Sequence, residues 1–150
     1  MSTALRVYLL RPELASLPAY ATKGAAGLDL RAAIPEPLLI AAGETLKVPT
    51  GMAVALPPGH EGQVRPRSGL AFRHAITVLN SPGTIDEDYR GEIAVLLVNH
   101  GRVDHEIQPG DRIAQLVVAP VTRVGVQPVS SLEALGETRR GQGGFGSTGR

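Results

Sequence analysis

Apolar residues along the chain fall in short runs, several alternating with polar ones, and most runs end at glycine, proline or a charged turn. That punctuation predicts many short strands rather than long helices. Candidate strands are Leu5 to Leu10, Pro37 to Ile40, Thr45 to Val48, Met52 to Leu56, Glu61 to Arg65, Ile76 to Leu79, Glu92 to Asn99, His105 to Gln108 and Ile113 to Pro120. Pro57-Pro58-Gly59 and Pro109-Gly110-Asp111 read as turns between them. Before the tail, only Ser68 to His74 has helical character, with Ser68 placed to cap a single turn ahead of Leu70, Ala71 and Phe72. Ala94 to Val98 is apolar at every position, so both strand faces need cover, from a sandwich interior or from a subunit contact. The expectation is an all-β domain.

No internal repeat and no linker divides the chain, so one folding unit is expected over residues 1–136. A brief helix is expected at Ser131 to Glu137. Beyond it the composition turns to glycine, from Arg139 to Arg150, and such a tail builds no core of its own. With 150 residues the body is long enough for a sizeable core, and the absence of cysteine excludes disulfides, thiolate nucleophiles and Cys-ligated zinc.

Fifteen basic against fourteen acidic residues give a net charge of +1, which excludes a global field for nucleic acid or a membrane surface and leaves room only for a local basic site. Thirteen of the basic residues are arginines, whose fixed fork suits bidentate phosphate recognition. Five aromatics, Tyr8, Tyr20, Phe72, Tyr89 and Phe145, are too few for a stacking platform. No apolar run approaches the roughly 20 residues of a membrane-spanning helix. The N-terminus, MSTALRVYLLRPE, lacks a signal-peptide pattern, so the expected compartment is cytoplasmic.

Four stretches can carry chemistry. In the tail, glycines free the backbone amides to curl around an anion, Arg140, Ser147 and Thr148 add donors, and Phe145 offers a flat apolar face. The alternative is an unstructured Gly-rich end. No Walker A pattern is present. Pro66-Arg67-Ser68-Gly69-Leu70-Ala71 opens a helical turn with an arginine beside free amides, which is either a phosphate contact or a capped turn with a solvated arginine. Asn80 to Glu92 is a turn-rich stretch holding the acids Asp86, Glu87 and Asp88. It is either a solvated hairpin tip or a source of a carboxylate that orients water or a hard metal, and the residues alone do not choose among the three. Asp29, between Leu28 and Leu30, is either a turn residue or a carboxylate near a cation. Arg112 and Gln115 point away from the core or into a polar site, and the histidines at 60, 74, 100 and 105 show no zinc-ligand spacing.

Taken in order, AAGLDLRAA, PRSGLA, NSPGTIDEDYRGEI, GDRIAQLVV and RGQGGFGSTG resemble the five motifs of the trimeric dUTPases, spanning Ala25 to Gly149. The resemblance implies a jelly-roll β-sandwich or barrel with a short helical turn and a flexible C-terminal arm, residues 137–150. It implies a homotrimer whose three sites each draw on all three subunits, with the arm ordering over a neighbour's nucleotide. The implied reaction is hydrolysis of dUTP to dUMP and pyrophosphate, which limits uracil in DNA and supplies dUMP for dTMP synthesis.

By the same resemblance, Asp86 matches the aspartate that positions and deprotonates the attacking water. Mg²⁺ is the implied cofactor, held on the three phosphates, with Asp29 reaching it through water and no direct protein ligand. Arg67, Ser68, Gly69 and Gln115 match phosphate-side contacts, with Arg112 as support. Arg140, Ser147 and Thr148 match γ-phosphate contacts, Phe145 a stack on uracil, and Gly146 a close backbone approach. Asn80, Thr84, Ile85 and, through its backbone, Ala94 match the uracil pocket, which has no room for thymine's methyl group. Tyr89 matches the residue that packs under deoxyribose and excludes a 2′-hydroxyl. Two other readings are a dCTP deaminase of the same superfamily, disfavoured by the Thr84-Ile85-Asp86 run and the full fifth motif, and a non-catalytic nucleotide-sensing trimer.

Overall fold

The alternating and apolar runs pair almost entirely into antiparallel sheets in the computed structural model, which describes residues 4–144. In chain order the elements are β1 (Arg6–Leu9), β2 (Ala19–Tyr20), β3 (Leu28–Arg31), β4 (Leu38–Ile40), β5 (Thr45–Ala55) and β6 (His60–Arg65). Helix α1 (Ser68–His74) follows, then β7 (Ile76–Val78), β8 (Gly83–Ile85), β9 (Glu92–Asn99), β10 (His105–Ile107) and β11 (Arg112–Pro120). A single 3₁₀ turn spans Glu133–Leu135. The strands form a four-stranded sheet β1-β5-β9-β7, a two-stranded sheet β10-β4 and a five-stranded sheet β2-β3-β11-β6-β8. This is the mostly β, jelly-roll architecture that the motifs imply.

The core is built from the inward positions of these strands: Leu30, Ile40, Val48, Met52, Ile93, Val95, Leu97, Ile107, Ile113 and Leu116 are all buried. Alternation selects them, because successive side chains on a strand face opposite sides. In β9, Ile93, Val95, Leu97 and Val98 are buried, while Ala94 and Leu96 are only half covered in the single chain. The strand therefore fills the interior with one face and offers a partly open apolar second face.

Thr45 to Val48 and Met52 to Leu56, expected as two strands, are joined in one. β5 continues across a register shift between Pro49 and Ala53. A bulge absorbs the breakers Pro49 and Gly51. Gly51 has φ of +67°, and a Cβ there would lie 2.7 Å from the Ala15 Cβ, so glycine alone fits the bend. Three strands, β2, β3 and β8, lie outside the expected set, β3 where Asp29 has an open reading and β8 in the turn-rich stretch Asn80 to Glu92. Each is four residues or shorter, and all three lie in the five-stranded sheet. Among the described residues no helix is long and apolar enough to cross a membrane.

Candidate active site

In the five-stranded sheet, Gln115 of β11 stands opposite Asp29 of β3 on one side and Arg65 of β6 on the other. Leu28, Leu30, Ala114 and Leu116 take the inward positions, so the period of two turns Asp29 and Gln115 outward together. Asp29 Oδ1 lies 3.5 Å from Arg67 Nε, and Oδ2 lies 3.2 Å from Arg112 Nη1. Arg67 Nη1 donates to the Arg112 carbonyl at 2.9 Å, and Gln115 Nε2 donates to the Pro66 carbonyl at 3.0 Å. A Cβ on Gly27 would fall 2.5 Å from Gln115 Oε1, so that glycine makes the room Gln115 occupies.

Asp29 is thus a carboxylate beside cations, and Arg112 and Gln115 turn into a polar site. Ion pairs this accessible to water contribute about 0–1 kcal/mol each. Their larger effect is positional. Two guanidinium groups against one carboxylate leave a net positive patch, suited to an anion richer in charge than Asp29. Ser68 and Gly69 begin α1 beside it. Ser68 does not cap the helix: the cap position is Arg67, extended at φ −97° and ψ 127°, with no side-chain cap bond. The chain leaves β6 through Pro66, the Arg67 side chain pairs with Asp29, and the helix starts at Ser68, one residue earlier than a serine cap requires.

A second group of candidates surrounds β8. The Asn80 side chain folds over Gly83, its Nδ2 3.3 Å from where a Gly83 Cβ would stand. Thr84 is exposed and Ile85 half buried against the core. Asp86 to Tyr89 form a turn closed by the Tyr89 N–H donating to the Asp86 carbonyl at 3.1 Å. Of the three acids, Glu87 is committed: its Oε2 accepts from the Gly59 N–H at 2.8 Å and lies 3.6 Å from Arg123 Nη2. Asp86 and Asp88 are exposed and make no side-chain bond among the described residues. Ala94, half buried, pairs with Pro49 of β5.

These two groups lie apart within one chain. β8 runs antiparallel to β6 with Gly83 opposite Val64 and Ile85 opposite Gly62, so Asp86 is carried toward the His60 end while Arg67 leaves from the Arg65 end. Gly62 to Arg65 alone spans about 10 Å of strand.

A family model described as dUTPase matches residues 13–149, nearly the whole chain. The chain belongs to the dUTPase family. Two relatives named deoxyuridine 5'-triphosphate nucleotidohydrolase are similar over most of their length. The one from Rhizobium meliloti (strain 1021) is 59% identical over 135 residues, 89% of this chain and 82% of its own. The one from Anaeromyxobacter sp. (strain Fw109-5) is 60% identical over 134 residues, 89% of this chain and 88% of its own. Among solved structures, a mutant dUTPase of Staphylococcus bacteriophage 80alpha with dUpNHpp is 26% identical, with a TM-score of 0.88, covering 99% of this chain and 100% of that one. A mutant dUTPase from phage phi11 of S. aureus, whose structure concerns coordination of a structural Mg(II) ion, is 25% identical with a TM-score of 0.77, covering 87% and 99%.

Within this dUTPase fold and among the described residues, Arg140 bonds locally, its Nε donating to the Gly143 carbonyl at 2.7 Å. Phe145, Gly146, Ser147 and Thr148 lie outside the described residues. One residue near the phosphate-side cluster is missing from the sequence reading. Arg73, four positions after Gly69 on α1, folds back so that its Nη2 is 2.8 Å from where a Gly69 Cβ would stand. The i, i+4 spacing on a helix is the signal that finds it. His74 and His105 bring their ring centroids within 4.5 Å. Partial burial, and then the neighbouring His74, lower the His105 pKa against an opposing pull from Asp111.

Proposed function

We propose that this chain hydrolyses dUTP to dUMP and pyrophosphate at sites shared between subunits of a homotrimer. The observation that carries the reading is the separation within one chain of an uncommitted carboxylate, Asp86, from a net positive cluster of Arg67, Arg112, Asp29 and Gln115. A water activated at one group reaches a phosphate held at the other only if the groups come from different chains. Membership of the dUTPase family supports the same substrate.

In this mechanism Asn80, Thr84, Ile85 and the Ala94 backbone hold uracil in the β8 hairpin, and Tyr89 packs under the deoxyribose. Arg67, Ser68, Gly69 and Gln115 of a neighbouring subunit hold the phosphates, supported by Arg112. Asp86 accepts a proton from water as its oxygen attacks the α-phosphorus in line, and the bond from that phosphorus to the α,β-bridging oxygen breaks to release pyrophosphate. Positioning and charge neutralisation are the protein's main contributions to such a step.

Mg²⁺ fits this donor set as an ion carried on the triphosphate. Among the described residues no group of three or more His, Asp or Glu forms a metal cage, and Asp29 is one outward carboxylate already paired with two arginines. That chemistry suits contact through a water of a cation that dehydrates reluctantly. When bound, Mg²⁺ supplies neutralisation of phosphate charge.

Residues 137–150 are assigned as an arm that closes over a neighbour's nucleotide, with Arg140, Ser147 and Thr148 at the γ-phosphate, Phe145 on uracil and Gly146 allowing close approach. The enzyme would act in the cytoplasm, keeping uracil out of DNA and supplying dUMP for dTMP synthesis.

Pyrophosphate release with Mg²⁺, compared across dUTP, dCTP, dTTP and UTP, tests the reaction. Release from dUTP alone is expected. Ammonia from dCTP would indicate a deaminase, and binding without turnover would indicate a nucleotide sensor. A chain ending before Arg139 is expected to remain trimeric with hydrolysis severely impaired. Full activity in that truncated trimer would remove the lid assignment.

A further inference from the structure

Tyr89 sits in a seat made by its own sequence neighbours. Its hydroxyl donates to the Glu92 carbonyl at 3.0 Å, and its ring covers Gly91. A Cβ built on Gly91 would meet the Tyr89 hydroxyl and fall 2.6 Å from Cζ and 3.0 Å from Cε2, closer than side-chain carbons approach one another. Glu92 in turn is tied to the β5 bulge, its Oε1 accepting from the Gly51 N–H at 2.9 Å. The seat is therefore anchored to the four-stranded sheet, while Tyr89 itself is 43% exposed.

Gly91 is not one of the glycines with positive φ, so an alanine backbone is allowed there. What a methyl group at this position displaces is the Tyr89 ring. An exposed ring moves outward at small cost to the fold, so the position couples strongly to ring placement and weakly to stability.

We propose that Gly91 is a specificity-determining position that acts through Tyr89. By carrying no side chain it lets the ring lie flat against the turn, where the Glu92 carbonyl locks it and where a ribose 2′-hydroxyl finds no space. The inference rests on the reading of Tyr89 as the sugar contact. Gly91 is a positioning residue and touches no substrate.

The test is the ratio of kcat/KM for dUTP to that for UTP in trimeric Gly91→Ala, Tyr89→Ala, the double variant and Tyr89→Phe. Gly91→Ala is expected to lower the ratio by about tenfold or more, the scale set by a carbon misplaced in a specificity pocket. Tyr89→Ala should lower it at least as far. The double variant should match Tyr89→Ala alone, because the two changes act on one ring. Tyr89→Phe keeps the ring and removes its lock, and a smaller loss of discrimination is expected. That variant carries the test if Gly91→Ala fails to fold, and an unchanged ratio in it would then overturn the proposal. A relaxed Tyr89→Ala beside an unchanged Gly91→Ala would overturn the proposal while keeping the sugar contact. An unchanged Tyr89→Ala would overturn the sugar contact itself.

Discussion

Asp86→Asn is expected to keep its affinity for the nucleotide while turnover falls about 10²–10⁴-fold, the usual contribution of a positioned general base. The amide has nearly the shape of the carboxylate and holds a water by a hydrogen bond, but it cannot accept that water's proton. Asp86 is exposed on the β8–β9 turn and makes no intramolecular side-chain bond among the described residues, so the exchange removes no fold contact. Binding measured with dUpNHpp and turnover measured by pyrophosphate release separate the two effects. Two neighbours serve as comparisons. Asp88→Asn should retain near-normal turnover. Glu87→Gln should loosen the turn, because Glu87 holds the Gly59 N–H and pairs with Arg123. Near-normal turnover in Asp86→Asn would reject its role as the base.

Two inactive variants are expected to restore activity when their chains are mixed. Asp86→Asn lacks the proposed base, and Arg67→Ala loses the guanidinium beside Asp29 and the bond to the Arg112 carbonyl. Within one chain Asp86, just after β8, lies toward the His60 end of β6, while Arg67 follows its Arg65 end. If each site takes Asp86 from one subunit and Arg67 from another, unfolding and refolding an equal mixture places both intact residues in about a quarter of the sites of a randomly assorted cyclic trimer. The expected recovery is therefore about a quarter of wild-type turnover, against almost none for either variant refolded alone. A site formed within one chain predicts no recovery, since every chain in the mixture carries one defect. The experiment reads the sharing of the site directly, independent of any single residue's role.

Much of the fold was legible because long strands carry their own period. β9 and β11 lie within a residue of their expected bounds, and α1 occupies the expected span. β3 was harder to assign. Its alternation Leu28-Asp29-Leu30-Arg31 is real, but four residues after a glycine-rich turn also fit a loop. β8 is three residues long, and its pairing with β6 rests on partners some twenty positions away in sequence. Local pattern has no term for such a partner. The same limit explains Ser68. A serine before a hydrophobic run is a good cap by local rules, yet Arg67 takes the cap position, and its side chain pairs with Asp29 on a distant strand, a partner no local rule contains.

The sequence by itself determined the fold class, the family and the types of side chain available for chemistry, since periodicity, punctuation and ordered motifs are properties of neighbours along the chain. Tertiary structure decided which of those side chains work together. Antiparallel pairing put Asp29 beside Gln115 and within reach of Arg67 and Arg112, withdrew Glu87 into a bond with Gly59, and laid Tyr89 over Gly91. It also carried Asp86 away from the positive cluster. Those distances follow from strand register, which is set by packing between segments far apart in sequence.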